Sequence, residues 1–170
     1  GRLAQGMAMT MNEQHKLGRT LDGEFGKDLF AVPTSVPGYS SSATAAGDVS
    51  FTDPTKFAAS DYEIRFTTPP AGVVVRLTDG TTTNFTDLTN LSSQQIDGLT
   101  FNLTAPGIAG ERMLFKPFAS TAQTIEAKIY APKDLAAANP INAAMGTSNS
   151  GSLQLENLKA TGLGALPAIA

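Results

Sequence analysis

A single histidine and no cysteine narrow the chemistry open to this 170-residue sequence. General acid–base work near neutral pH most often uses imidazole, and His15 is the only one present. It closes the run Asn12-Glu13-Gln14-His15 at the end of an apolar-periodic stretch, where a positive or hydrogen-bonding side chain caps a helix; capping is the simpler reading. Without cysteine there are no disulfides, thiolate zinc sites or cysteine nucleophiles. A Ser-His-Asp triad would have to recruit His15, and no serine stands in a Gly-x-Ser-x-Gly elbow. The serines gather instead in Tyr39–Ser42 and Thr147–Ser152, both loop compositions. Asp22, Glu24, Asp28, Asp48, Asp53, Asp61 and Glu63 are scattered, and none follows the alternating pattern of a calcium loop. Gly162 and Gly164 precede Pro167 without a phosphate-binding motif, and the sequons at Asn84, Asn90 and Asn102 are expected by chance in a Thr-rich chain. No catalytic, cofactor-binding or metal-ligating residue is assigned, no cofactor is expected, and the chain is read as a non-enzyme.

Composition agrees with a structural reading. Charged residues make up 16% of the chain, below the usual quarter or so, and the polar remainder is rich in Thr, Ser, Asn and Gly. That mixture suits exposed strands and turns better than surface helices. Hydrophobic residues reach 41%, enough for a core built mainly from Val, Ile, Leu and Phe, since Trp is absent. A net charge of −3 with no Lys/Arg cluster excludes a nucleic-acid surface, and no apolar run is long enough to span a bilayer. No cleavable secretory signal opens the sequence.

Elements that would position these residues follow from periodicity. Leu3, Ala4, Met7, Ala8 and Met11 recur at spacings of three and four, predicting a helix over 1–16 with that stripe packed in a core and Gly18 as a left-handed cap. Gly1 reads as a cut through a longer helix. Asp28–Val32 is a short apolar run, and Val36–Gly47 reads as an irregular loop. From Tyr62 the period becomes two. Tyr62, Ile64 and Phe66 predict one strand. Val73, Val75 and Leu77 predict a second, and Asp79-Gly80 a two-residue hairpin returning through Thr81–Thr86. Leu99, Phe101 and Leu103, then Met113 and Phe115, then Ile125, Ala127 and Ile129, predict three more. Lys133–Ala138 and Pro140–Met145 suggest short helical turns, and Gly146–Ser152 a linker before Leu153 and Leu155. The fold class expected is mainly β: an N-terminal helix followed by an antiparallel β-sandwich or barrel-like domain. Pro33, Pro54, Pro69 and Pro70 are expected to block strand edges against uncontrolled pairing.

The helix-to-strand transition carries a family resemblance. Asn12-Glu13-Gln14-His15-Lys16-Leu17-Gly18, then Asp22-Gly23, Gly26 and Asp28-Leu29-Phe30, resembles hook-associated protein 1 of the bacterial flagellum. In that family a stalk-domain helix ends in a similar Asn-x-Gln-His pattern before the chain turns out into a β-rich outer domain. Asp61–Phe66 and Asp97–Phe101 are similar to outer strands of the family, and Gly110–Pro117 to a segment with an acid, here Glu111, and an aromatic, here Phe115 beside Met113. Thr20 stands where relatives often carry an acid. The resemblance implies three parts: 1–18 as the end of a stalk helix, 19–145 as the outer domain, and 146–170 as a linker and the start of a further strand or domain. It also implies a structural role at the hook–filament junction and self-association in the full-length protein. Further implications are contacts with hook protein and hook-associated protein 3, an export chaperone, and export to the extracellular flagellum without a cleaved signal. The terminal polymerising helices are expected to be missing, leaving this piece monomeric. The alternative reading is an extracellular adhesin-like or carbohydrate-binding β-sandwich, which an exposed cluster of Tyr39, Tyr62 or Tyr130 beside acids would favour.

Overall fold

The structure, a computed structural model, describes residues 1–139 and 141. Its chain divides into two compact units. The first joins Gly1–Met9 to Val32–Glu126, and the second joins Thr10–Ala31 to the chain from Ala127 onward. In order, the elements are α1 (Arg2–Lys16), β1 (Phe30–Ala31), β2 (Ser35–Pro37), β3 (Tyr39–Ser40), β4 (Ala46–Phe51), β5 (Tyr62–Thr68), β6 (Ala71–Arg76), β7 (Thr82–Phe85), α2 (Leu88–Ser93), β8 (Leu99–Ala105), β9 (Arg112–Phe115), α3 (Thr121–Thr124) and β10 (Glu126–Ala127). Single 3-10 turns occupy Pro54–Lys56 and Pro132–Asp134.

The first unit is the predicted antiparallel sandwich. One sheet has the order β2-β4-β8, the other β3-β9-β5-β6-β7. Their strand pairs are antiparallel. The chain switches sheets after β2, β3, β4, β7 and β8, so neither sheet is built from one continuous segment. Alternation aims Tyr62, Ile64 and Phe66 of β5, Met113 and Phe115 of β9, and Leu99, Phe101 and Leu103 of β8 into one common core, as their spacing predicts. Phe101 is fully buried, with its ring edge-on to Phe115 (centroids 5.2 Å apart, planes at 85°) and to Tyr62 (5.6 Å, 67°), on the opposite sheet. Such ring pairs add roughly 0.5–1.5 kcal/mol each beyond the area they bury.

Several expectations are corrected. On β6 the core-facing residue is Val74, paired with Ile64, while Leu77 lies outside the strand and is exposed. The hairpin that follows has four loop residues, Leu77–Gly80, closed by Arg76 and Thr81, with the Gly80 N–H turned back to the Arg76 carbonyl. Val36–Gly47 is ordered into β2, β3 and the start of β4: short edge strands carry too few alternating residues to show a period. The strand expected through Ile125–Ile129 shrinks to the two exposed residues of β10 after α3, and Lys133–Ala138 keeps only the turn at Pro132–Asp134. The expected linker at 146–152, with Leu153 and Leu155, lies outside the described residues.

The helix gives the sharpest correction. Leu3, Met7 and Met11 are 71%, 54% and 42% exposed, whereas Gln5, Ala8, Asn12 and His15 are buried. Ala8 of the predicted stripe is buried, but its three long apolar residues are not, and Gln5, Asn12 and His15 fill the rest of the buried face. Neighbouring backbone groups have no strand partner, and amide and imidazole side chains supply their hydrogen bonds. Gly18 is not left-handed; a Cβ there would meet the Ala136 carbonyl oxygen at 2.3 Å, so close approach is its requirement. The prolines expected to block edges lie at turns: Pro54 opens a 3-10 turn, Pro69 and Pro70 join β5 to β6, and Pro33 precedes β2. Pro37 is the proline that stands within an edge strand, β2.

Phe101→Ala should lose about 3–5 kcal/mol of unfolding free energy, and Thr100→Ala on the outer face of β8 within about 0.5 kcal/mol, in urea titrations followed by circular dichroism.

Candidate functional site

The residues singled out by chemistry turn out to hold backbone in place. In the second unit, Asn12 makes a two-way clasp on Phe30: its Nδ2 donates to the Phe30 carbonyl and its Oδ1 accepts from the Phe30 N–H, both at 2.9 Å. One turn on, the His15 Nε2 accepts from the Ala136 N–H at 2.7 Å, which leaves the proton on Nδ1 to donate to the Lys27 carbonyl. The imidazole thus joins two segments far apart in sequence, Lys27 and Ala136. Thr20 closes a turn with Glu24, through its N–H to the Glu24 carbonyl and its Oγ1 from the Glu24 N–H. In the first unit Gln5 Nε2 donates to the Pro33 carbonyl at 2.9 Å.

Two polar clusters belong to the sandwich. The Glu111 carboxylate, buried, accepts from the Ser40 hydroxyl and from the backbone N–H groups of Ala45 (3.0 Å), Ile108 (2.8 Å) and Thr44 (3.2 Å). These donors, led by the Ser40 hydroxyl and then the Ala45 N–H, hold its pKa down at about 2. The segment that crosses from β3 to β4 is thereby pinned to the loop before β9. The second cluster surrounds Arg76, which reaches Asp79 through Nε (3.0 Å) and Nη2 (2.8 Å) and Asp97 through Nη1 (2.8 Å). The buried Tyr62 hydroxyl donates to the other Asp97 oxygen at 2.7 Å. Burial, and after it that hydrogen bond, raises the Tyr62 hydroxyl far above its ordinary pKa, while Arg76 holds Asp79 well below the carboxylate range. Asp97 and Gly98 both take left-handed backbone (φ 53° and 76°), and a Cβ at 98 would strike the Asp53 carbonyl oxygen at 2.1 Å. The cluster therefore fastens the β6–β7 hairpin to the turn before β8.

The remaining candidates stay apart. Asp53 caps the 3-10 turn, Asp48 accepts from Asn102, and Glu63 pairs with Arg65. Ser41 accepts from the Arg112 N–H. Among the described residues no group of three or more His, Cys, Asp or Glu could hold a metal, and no helix is long and apolar enough to cross a membrane. A cleft of about 460 Å³ in the second unit is lined by Asp22, Glu24, Asp28, Lys27, Lys128 and Lys133 among others, with Lys133 paired to Asp22 at 3.1 Å; His15 does not line it. Gly162, Gly164 and the serines of 147–152 lie outside the described residues.

Residues 38–117 match the family model described as flagellar hook-associated protein 1, D2-like domain. Residues 38–117 belong to the hook-associated protein 1 family. This D2-like domain runs from β3 to just past β9 and contains both polar clusters; α1 and its clasps lie outside it. Two curated relatives, the flagellar hook-associated protein 1 of Salmonella typhimurium and that of Salmonella typhi, are each 33% identical over 144 residues, covering 82% of this chain. The chain spans about a quarter of their length, 25%. Among solved structures, the flagellar hook junction protein FlgK from Burkholderia pseudomallei superposes with a TM-score of 0.76 at 26% identity, over 89% of this chain and 28% of that one. The resemblance to hook-associated protein 1 read from the sequence therefore holds, and the mainly β fold with an N-terminal helix holds with it. The roles of Tyr62, Arg76 and Asp97 escaped sequence reasoning. The signals available were a tyrosine at an inward position and an Asp-Gly pair at a turn.

Substituting Asn12→Ala leaves the Phe30 N–H and carbonyl without partners at a largely buried site and should cost about 1–3 kcal/mol, with faster exchange of the Phe30 amide by NMR. For Glu111 the sign follows from its lowered pKa. Its contribution is complete above the ordinary value of 4.5 and fades as pH falls toward about 2. Glu111→Gln should therefore be less stable than the parent at neutral pH, and the gap should close on acidification through that window in parallel thermal melts.

Proposed function

We propose that this chain is part of a structural component of the bacterial flagellum at the hook–filament junction, with the sandwich acting as a rigid, non-catalytic spacer. The observation that carries the reading is the D2-like domain match over 38–117, on a body whose two sheets share one core. In this reading residues 1–18 end a stalk helix, 19–145 form the outer part and 146–170 lead onward. The full-length protein self-associates, meets hook protein and hook-associated protein 3, is delivered by an export chaperone, and leaves the cell through the flagellar channel without a cleaved signal. The 170-residue chain is monomeric.

The adhesin-like or carbohydrate-binding alternative is not favoured. Tyr62 is buried and bonded to Asp97, while the exposed Tyr39 and Tyr130 belong to different units. Within the first unit, Tyr62 therefore cannot join Tyr39 in an exposed aromatic platform.

A cysteine-reactive gold label placed at Thr67 in the parent protein tests the location, since that residue is exposed near the end of β5. Electron microscopy of intact flagella should show one band where hook meets filament. Label spread along the filament, or confined to its tip, would refute the assignment. Sedimentation velocity of the 170-residue chain should give one monomeric species.

A further inference from the structure

The five-stranded sheet ends in β3 on one side and β7 on the other, and the sequence between β7 and β8 builds something against the β7 edge. Antiparallel pairing turns alternate residues toward and away from the neighbouring strand. The Arg76 N–H donates to the Thr81 carbonyl, so Thr81 faces β6; Thr83 and Phe85, opposite Val74 and Gly72, do so as well. Thr82, Asn84 and Thr86 consequently direct their backbone groups to the open side. Two of those groups are already taken. The Asn84 carbonyl accepts from Gln94 Nε2 at 3.3 Å, and the Thr86 N–H donates to Asn90 Oδ1 at 3.2 Å. Gln94 Nε2 also donates to Asn90 Oδ1 at 2.9 Å, tying the two amides together.

The placement of that pair is fixed by α2. Asp87 caps the helix by accepting from the Asn90 N–H at 2.8 Å, and Leu91 is fully buried in the core between the two amide residues. Positions 90 and 94, four apart, fall on one side of the helix and its end. The edge they cover, Thr81–Thr86, is uncharged and rich in β-forming residues, the composition most prone to pair with a copy of itself. At the edge strand β2, Pro37 offers a different protection; β7 contains no proline.

We propose that Asn90 and Gln94 form an edge guard: their side-chain amides occupy the Asn84 carbonyl and the Thr86 N–H, two of the groups on the open side of β7 and the residue that follows it, and so deny this edge to a strand from a second copy of the chain. The guard stands on the geometry alone. The proposed flagellar role, in which copies crowd around an axis, would give it a use, but failure of one reading leaves the other intact.

The test is made on the 170-residue chain. Asn90→Ala with Gln94→Ala should self-associate with rising concentration in sedimentation velocity, while the parent stays monomeric. Amide exchange at Thr82 and Asn84, whose N–H groups point outward, should slow about ten-fold in the associated form. Adding Thr82→Pro, which removes an outward N–H and no bond to β6, should restore the monomer. A double variant that remains monomeric at the highest concentration reached, with an unchanged melting curve, overturns the proposal. So does association that leaves the Thr82 and Asn84 amides exchanging at the monomer rate. Where the double variant melts early, Gln94→Ala alone, which keeps the Asp87 cap and the Asn90–Thr86 bond, carries the same two readouts.

Discussion

Neither sheet of the sandwich can bury a face without the other. A three-stranded and a five-stranded sheet are each too small to stand alone with one apolar side in water, so both depend on a single shared layer of side chains. Phe101 shows how that layer works. It belongs to the small sheet, and its ring touches Phe115 and Tyr62 of the large one. Because the chain passes back and forth between sheets, the strands contributing to the layer come from distant parts of the sequence. Displacing one strand disturbs the contacts of both faces. Stiffness in the body follows from this interleaving more than from any single contact.

Interleaving has a cost in backbone polar groups left without a ladder partner at each crossing, and the buried polar side chains sit where those groups are. Glu111 collects N–H donors from the crossing between β3 and β4 and from the loop before β9; in the second unit Asn12 and His15 donate to the Phe30 and Lys27 carbonyls and accept from the Phe30 and Ala136 N–H groups. A buried donor or acceptor left unpaired costs about 1–3 kcal/mol, whereas exposed ion pairs such as Lys16–Asp28 and Lys133–Asp22 contribute about 0–1 kcal/mol. The neutral clasps and the buried carboxylate therefore matter more to local order than the more conspicuous surface charges.

That hierarchy explains what could be read in advance. Long strands with one buried face announce themselves by alternation: Tyr62-Ile64-Phe66, Leu99-Phe101-Leu103 and Met113-Phe115 are all inward. Two- and three-residue strands such as β3 and β2 carry no period, and α2 hides in the polar run Asp87–Gln94, where Leu91 alone is fully buried. The helix misled for a different reason. Periodicity found its faces but hydropathy chose the wrong one, because the buried side answers backbone hydrogen-bonding demand and its Gln, Asn and His do not register as core. The same Asn12–His15 run that suggested the family is the one that makes the clasps, so the signal was legible as a pattern before its physical task was known.

The engagement of these groups also bears on what the protein can do. Both nitrogens of His15 are committed to backbone partners, so using the imidazole as a base would release Ala136 or Lys27. Glu111 is held ionised by four donors, with its pKa near 2, which makes it a poor proton acceptor and leaves its removal to be felt as loosening. Tyr62 is raised far beyond the range in which a phenol gives up its proton, and its hydroxyl is spent on Asp97. The groups most able to do chemistry thus hold the shape. What these groups leave outward on the strands is a surface rich in Thr, Ser and Asn side chains, carried on backbone that they hold fixed.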